Sequence, residues 1–192
     1  MLLDLTAIDA FFDEHFTRSA FRLEVLDRYM VDSDQDNVER YLAGGSAPTW
    51  AQGSEWMDQL ARERAEGKRN YRVHVLESPL SDYLRYECEW GYACTSNAGE
   101  EIYILDTAET PRPDGLINED FYLIDDERVL VMRYDGDGRL LGGEPLPVSE
   151  AARYVRCREV AVAHAVPFGR YWAGHPQFWR ENWLPRGGTL RP

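Results

Sequence analysis

The chain lacks the features that identify most nucleic-acid-binding, secreted and membrane proteins. Among its 192 residues, 21 Lys and Arg face 34 Asp and Glu, which gives a net charge of −13. Nothing supplies the basic stripe that a phosphate polyanion requires, so direct DNA or RNA binding is excluded. There is no membrane-length apolar run and no basic, apolar leader at the start. The three cysteines form no C-x-x-C pair. We therefore predict a soluble, cytoplasmic protein with reduced thiols.

Motifs for catalysis and cofactor binding are missing as well. The sequence has no G-x-S-x-G, no P-loop and no dinucleotide-binding glycine fingerprint. The four histidines are scattered and form no H-x-x-x-H pair, so no zinc site is visible. We predict neither a cofactor nor a metal. The acidic balance either keeps the protein soluble or attracts a basic partner, such as a DNA-binding regulator.

Hydrophobic periodicity predicts an α/β fold. Helical and strand patterns alternate along the middle of the chain, which favours a mixed sheet flanked by helices, with α+β as the alternative. We expect one α/β domain over residues 1–170 and an aromatic, Pro/Gly-rich tail over 171–192. The predicted helices span 8–16, 32–42 (capped by Asp32, Ser33 or Asp34), 54–66, 82–94 and 148–166. The predicted strands span 20–29, 71–79 and 101–106, with three short ones within 121–146.

The hairpin sequence NEDFYLIDDERVLVM resembles the phospholipase D hairpin, which carries H-x-K-x-x-x-x-D. If Asp125 takes the Asp position, Asn118 and Asp120 stand where His and Lys would be. If Asp126 takes it, those positions hold Glu119 and Phe121. Either way the imidazole nucleophile and the cation are missing. The resemblance therefore implies a degenerate phospholipase D-like half without its catalysis, and an ordinary hairpin accounts for the same residues.

A candidate ligand site lies in the string LESPLSDYLRYE. Strand, proline and helix start follow one another there, and helix starts at the carboxyl ends of strands favour anions. The alternative is a capped helix with nothing bound. The candidate ligand-binding residues are Ser78, Ser81, Asp82 and Arg85.

Two further groups of residues have two interpretations each. Arg22, Glu24, Arg28 and Tyr29 on the first strand are either a polar site or, as we favour, a solvated strand face. The tail concentrates aromatic residues, which are enriched in interface anchors but can equally cover the chain's own core. The candidate interface residues are Trp172, Phe178, Trp179 and Trp183.

Three strings in order, at 16–29, 74–87 and 118–144, resemble an actinobacterial family of domains of unknown function that is abundant in streptomycetes. The chain departs from the family pattern at Leu76–Pro79, where Ser and Glu are exchanged, and at Tyr122, where the family has Trp. The similarity covers roughly residues 10 to 170. The resemblance implies a regulatory role, because members are often encoded beside helix-turn-helix regulators.

Two functions are therefore expected. The first is a non-enzymatic regulatory or interaction module that acts with a helix-turn-helix regulator and can also sense a small ligand. The alternative is an enzyme of a specialised-metabolite pathway with an aromatic-lined pocket. Its acid–base groups would be Asp82, Glu87 and His164.

Overall fold

The computed structural model describes residues 1–31, 35–48 and 54–183. Their strands form one seven-stranded mixed sheet flanked by helices, which confirms the predicted α/β class. The strands are β1 (Ser19–Glu24), β2 (Arg69–Leu76), β3 (Glu101–Asp106), β4 (Phe121–Ile124), β5 (Arg128–Tyr134), β6 (Leu140–Pro145) and β7 (Val166–Pro167). The helices are α1 (Leu5–His15), α2 (Gln35–Leu42), α3 (Glu55–Ala65), α4 (Asp82–Tyr86), α5 (Ala93–Ala98), α6 (Ala151–His164), α7 (Phe168–Gly174) and α8 (Arg180–Trp183). A π-helical turn, Glu87–Tyr92, joins α4 to α5, and 3₁₀ turns cover Val148–Glu150 and Pro176–Phe178.

The sheet order is β6-β5-β4-β1-β2-β3-β7. Three adjacent strands, β1, β2 and β3, run parallel, whereas β4, β5, β6 and β7 each pair antiparallel with a neighbour. Helical crossovers connect the parallel strands, and short turns connect β4 to β5 and β5 to β6. Strands β1 and β2 therefore lie in the middle of the sheet, with both faces covered.

The side chains of β1 and β2 alternate between two cores. Phe21 and Leu23 of β1, with Val73 of β2, pack against α6 on one face. The alternate residues point to the opposite face, where the helices from α3 to α5 and the N-terminal helix α1 lie. Because neighbouring strands are in register, Arg22 and Arg72 stand side by side on that second face. A polar pair thus lies in the centre of the sheet.

Local sequence signals fix the starts of several helices. Asp4 caps α1 by accepting a hydrogen bond from the Ala7 amide, and Ser54 does the same for α3 through the Met57 amide. Gly138 in the β5–β6 turn has φ +84°, and a β-carbon there would lie 2.5 Å from the Arg28 carbonyl oxygen. Glycine therefore lets this turn close against the segment that follows β1.

Most predicted elements are confirmed, with shifted ends. Strand β1 ends at Glu24 rather than at residue 29, and the helical run predicted for 82–94 continues to Ala98 through its π-helical turn. The predicted cap at 32–34 and the tail beyond 183 lie outside the described residues. Within the described ranges, no helix is both long and apolar enough to cross a membrane.

Candidate functional site

A cavity of about 760 Å³ lies over β1 and β2, on the face of the sheet opposite α6. Helix α1 contributes Ile8 and Phe12 to its wall, and α3 contributes Trp56. Its volume falls within the range of about 300–1,000 Å³ that is typical of small-molecule sites. The cavity is therefore large enough for a drug-sized organic ligand.

The floor of the cavity is a network of buried ion pairs. Arg72 lies 2.9 Å from Glu24 and 2.6 Å from Glu100, and Arg22 lies 3.0 Å from Glu24. The side chains of Glu24 and Glu100 are only 1% and 5% exposed. Buried charges of this kind persist only when they are paired and hydrogen-bonded. The network thus explains how four charged groups can occupy the centre of a sheet.

Electrostatics holds Glu24, Arg22 and Arg72 in their charged forms. Burial alone would raise the pKa of Glu24, but the guanidinium groups of Arg22 and Arg72 outweigh it and lower the pKa to about 2. Burial likewise opposes the charge of both arginines, and the neighbouring carboxylates more than compensate, so that both pKa values rise further. The floor therefore carries fixed charge at physiological pH.

Two further buried residues, Tyr92 and His74, form hydrogen bonds that support Glu24. The Tyr92 hydroxyl donates to Glu24 over 2.9 Å and lies 2.6 Å from Nδ1 of His74. Nε2 of His74 lies 3.0 Å from the Leu26 carbonyl oxygen, which can only accept, so this nitrogen carries the hydrogen. Burial lowers the pKa of His74, and the nearby carboxylate of Glu24 opposes this effect in part. His74 thus positions Tyr92, and through it Glu24.

The π-helical turn places two members of the site. Tyr92 ends it, and Glu87 begins it, lines the cavity and lies 3.6 Å from Nδ1 of His74. Single π-helical turns within α-helices are frequent at functional sites, because the extra residue shifts side chains around the helix axis. The π-helical turn therefore carries both residues of this segment, Glu87 and Tyr92, that contact the polar network.

Asp120 and Tyr29 close the network on the β4 side. The Tyr29 hydroxyl donates to Asp120 over 2.6 Å, and the Val25 amide donates to the other carboxylate oxygen over 2.9 Å. Burial raises the pKa of Asp120, and the nearby Arg22 guanidinium only partly offsets this effect. The Arg22 guanidinium itself lies 5.5 Å from the ring centre of Tyr29 and 5.2 Å from that of Tyr122. Cation–π contacts thus add to its ion pairs.

The cavity walls are acidic and aromatic. Among the described lining residues, six carboxylates face three cationic side chains, so the excess charge is negative. The cations are Arg22, Lys68 and Arg72, and the carboxylates are Asp9, Asp13, Glu24, Glu63, Glu87 and Glu100. The aromatic lining includes Phe12, Phe16, Trp56, Tyr83, Tyr122 and Tyr134.

The interpretation of the first strand as a solvated face is therefore wrong. Glu24 and Tyr29 are 1% and 6% exposed, and Arg22 lies in the cavity floor. Of the four residues in that group, Arg28 alone is exposed. The alternation along the strand was correct, but helices cover the polar face and ion pairs satisfy its charges.

The residues predicted to bind a ligand at the start of α4 make contacts within the chain, and ligand binding there stays a prediction. The Ser81 hydroxyl accepts from the Leu84 amide and donates to the Asp27 carbonyl, and the Ser78 amide donates to Asp106. Arg85 pairs with Asp82 at 3.8 Å and lies over the rings of Phe178 and Trp183. These contacts describe a capped helix packed against the tail.

The acid–base groups of the enzyme hypothesis are not brought together. Glu87 lines the cavity, but Asp82 is exposed outside it. His164 ends α6, the helix on the opposite face of the sheet, and its Nδ1 lies 2.9 Å from the Val160 carbonyl oxygen of the same helix. The sheet thus separates His164 from Glu87.

The four predicted interface aromatics pack on the chain itself. Phe178 is buried in the core that α4 and the π-helical turn form, and Trp172 and Trp183 pack against this core. Nε1 of Trp179 donates to the Trp172 carbonyl oxygen over 2.8 Å. In the described part of the tail, these side chains therefore cover the core around α4 and α5.

A separate cluster, unanticipated from sequence, anchors the tail to β3. One ligand-type atom each from Asp106, Glu109 and His175 lies within 4.8 Å of the others, a grouping that could hold a metal ion. Both oxygens of Asp106 already accept hydrogen bonds, from the Tyr171 hydroxyl and from the Ser78 amide among others. We therefore interpret the cluster of Asp106, Glu109 and His175 as a structural contact between the tail and β3, and we call it the tail clasp.

The Asp125-Asp126 turn also has a structural role. Both residues have positive φ, 53° and 62°, as in a two-residue hairpin turn. The Asp125 carboxylate accepts from the Thr17, Arg18 and Ser19 amides and thereby fixes the start of β1. The resemblance to a phospholipase D-like scaffold stays a prediction.

The comparison with protein families identifies the chain as a domain of unknown function. The model of the family described as "Domain of unknown function (DUF6879)" matches residues 6–173, so the chain belongs to that family. The match includes nearly all of α1, the whole sheet and most of α7. No curated protein matches the chain.

Proposed function

We propose that this chain is a non-enzymatic regulatory module that senses a small organic ligand in the cavity over β1 and β2 and passes the signal to a partner regulator. The observation that carries the proposal is the cavity itself, with its floor of buried ion pairs. A charged network in the centre of a sheet is expensive to bury, and such groups are often retained at binding sites. The floor supplies polar recognition, and the aromatic walls supply apolar contact.

The arrangement suits binding better than catalysis. Glu24 and Arg72 are held by partners on several sides, so neither is poised to transfer a proton. Of the three groups in the enzyme hypothesis, Glu87 is at the cavity. A biosynthetic enzyme remains the alternative, and it requires other acid–base groups than the set proposed from sequence.

The cavity's position supports transmission of a signal. Its walls come from α1, α3 and the sheet, so a ligand that contacts all of them changes the relative stability of their arrangements. The net charge of −13 complements a basic partner. The partner class that we propose is a helix-turn-helix transcriptional regulator.

Ligand capture tests the sensing part of the proposal. The tagged full chain is incubated with extract of its native host, washed and analysed by mass spectrometry for bound small molecules. Trp56→Ala removes an exposed aromatic wall residue, and we expect it to reduce recovery of the captured compound at least fivefold. Leu141→Ala, an exposed residue outside the cavity, serves as the matched control and should retain the compound. Equal recovery by both variants would place the ligand elsewhere, and a chemically converted compound would favour the enzyme alternative.

Purification of the tagged protein from the host tests the regulatory part. We expect a helix-turn-helix protein in stoichiometric amount, and its recovery should change when the captured compound is added. Recovery of the chain without such a protein, with and without the compound, would contradict the partner assignment.

A further inference from the structure

A residue that lines the cavity has a buried carboxylate oxygen that lacks a donor. Glu100 lines the cavity, its side chain is 5% exposed, and both contacts from Arg72 go to Oε1, at 2.7 Å from Nε and 2.6 Å from Nη2. Within the described residues, Oε2 of Glu100 accepts no hydrogen bond. A buried acceptor without a donor is rare and costs free energy, so it calls for an explanation.

The charges around this oxygen favour a positive group. The Arg72 guanidinium is divided between Glu100 and Glu24, and Arg22 is shared by Glu24 and the more distant Asp120, at 3.0 Å and 3.9 Å. Two guanidinium groups thus pair with three carboxyl groups, those of Glu24, Glu100 and Asp120. Glu87 adds a fourth carboxyl group nearby. A ligand carboxylate would add to this excess of negative charge, whereas a ligand ammonium would neutralise it.

The walls match the rest of such a ligand. Trp56, Tyr83, Tyr122 and Tyr134 supply aromatic surface, which binds apolar bodies and attracts cations through the ring faces. Asp9 and Asp13 add exposed carboxylates from α1, where they raise the local concentration of cations. A protein of net charge −13 also repels anions at long range.

Resting on the function proposed above, we infer that the cavity takes an organic cation: a protonated amine or guanidine on an aromatic or alicyclic body, whose charged nitrogen donates to Oε2 of Glu100. Rotation about the last side-chain bond of Glu100, a torsion with a broad energy minimum, turns this oxygen toward the ligand. Nε of Arg22, on the same cavity floor, likewise lacks a hydrogen-bond partner among the described residues.

Three probes of one shape and different charge test the inference by NMR titration of the full chain at low salt. Tryptamine carries an ammonium, indole-3-ethanol is neutral, and indole-3-propionate is an anion. We expect tryptamine to shift the Trp56 indole and Ala20 amide resonances with an affinity at least fivefold above that of the alcohol, and the propionate to bind weakest. The preference should fall as salt is raised.

Two neighbouring substitutions locate the charged group. Glu100→Gln should weaken tryptamine binding about tenfold and leave binding of the alcohol nearly unchanged. Glu101→Gln is the matched control, because Glu101 is exposed and pairs with Arg69 outside the cavity. If Glu100→Gln does not fold, the double variant Asp9→Asn and Asp13→Asn, at exposed positions, should still reduce the preference for the cation.

The outcomes separate this inference from the proposed function. Tighter binding of the propionate or the alcohol in the cavity would overturn the cation assignment and leave the sensing function standing. An unchanged cation preference in Glu100→Gln, or no shift with any of the three probes, would also overturn it. The extract experiment described above then decides the sensing function, because its readout does not depend on the charge of the ligand.

Discussion

Arg72 and Glu24 lie on the adjacent parallel strands β2 and β1, with Nη1 of the guanidinium 2.9 Å from Oε2 of the carboxylate. Their side chains are 11% and 1% exposed. Three residues earlier on β2, Arg69 pairs with Glu101 at 2.7 Å, but both of these side chains are almost half exposed. One strand therefore carries a buried and an exposed ion pair of the same residue types.

Replacing the buried arginine should be far more damaging than replacing the exposed one. Arg72→Met leaves the buried Glu100 without its ion-pair partner and Glu24 with Arg22 alone, and we expect it to lower the free energy of unfolding by about 3–5 kcal/mol. Arg69→Met should lower it by less than about 1 kcal/mol, because water screens that pair. Urea denaturation at pH 7 measures both. Equal effects would show that the network is not a buried ion-pair system.

The acid sensitivity of the fold should depend on Glu24. Because its pKa is held at about 2 in the folded state, below its ordinary value of 4.5, the unfolded chain binds the proton first as pH falls. The contribution of Glu24 to stability is complete above its unfolded pKa and is lost as pH falls toward the folded one, between about pH 5 and pH 2. One such group changes stability by at most about 1.4 kcal/mol per pH unit.

We therefore expect Glu24→Gln to be less stable than the natural chain at pH 7, and the difference to shrink as pH falls from 5 to 3. Urea titrations at pH 7, 5, 4 and 3 measure this. Glu101→Gln is the control at an exposed pair, where the pKa of the carboxyl is also lowered, chiefly by its hydrogen bond from Arg69. A difference for Glu24→Gln that stays constant with pH would contradict the assigned ion pairs.

Substitutions of the neighbouring turn residues Asp125 and Asp126 should differ in their effect on stability. Asp125→Ala removes the acceptor for three amides and places alanine at φ 53°, so we expect a loss of about 2–3 kcal/mol in the free energy of unfolding. Asp126→Asn introduces a residue that tolerates positive φ. It removes only the ion pair between Asp126, whose side chain is 48% exposed, and Arg158. It should change stability by less than about 1 kcal/mol. Thermal unfolding of both variants decides whether Asp125 has the structural role described.

Sequence patterns predicted the elements well because each had a local signal. The alternation in 101–106 gave β3 with its bounds, and Ser81 marked the start of α4. The π-helical turn at Glu87–Tyr92 had no such signal, because its extra residue continues a helical pattern. The end of β1 was placed too late, since the alternation from Phe21 to Val25 does not mark the end of the strand at Glu24 and apolar residues recur as far as Tyr29.

The cavity floor could be predicted only in part. Arg22 and Glu24 were visible as charged residues on one strand face, but whether that face is solvated depends on which helices cover it. Arg72 joins them through the parallel register of β1 and β2, a contact across the chain that no local pattern reveals. One signal could have indicated a buried network. The patterns R-x-E on β1 (Arg22 to Glu24) and R-x-H on β2 (Arg72 to His74) each put two polar side chains on the same face of a strand.

The clasp between the tail and β3 gives the last prediction. Nδ1 of His175 lies 2.7 Å from the Tyr171 carbonyl oxygen, and Nε2 lies 2.8 Å from the Glu109 carboxylate. Both partners accept, so the two contacts together require the doubly protonated ring. Burial alone would lower the pKa of His175, but these hydrogen bonds and the charge of Glu109 outweigh it and raise the pKa above its ordinary 6.5.

A raised pKa stabilises the fold below the unfolded value of about 6.5, and this contribution is lost as pH rises through the folded value. His175→Gln should therefore destabilise the protein more at pH 6 than at pH 8.5, as measured by urea denaturation. His164→Gln is the matched control, because its ring contacts only its own helix among the interactions described, and its effect should be smaller than that of His175→Gln at pH 6. If the effect of His175→Gln grew with pH instead, the assignment of a doubly protonated His175 ring in this contact would be refuted.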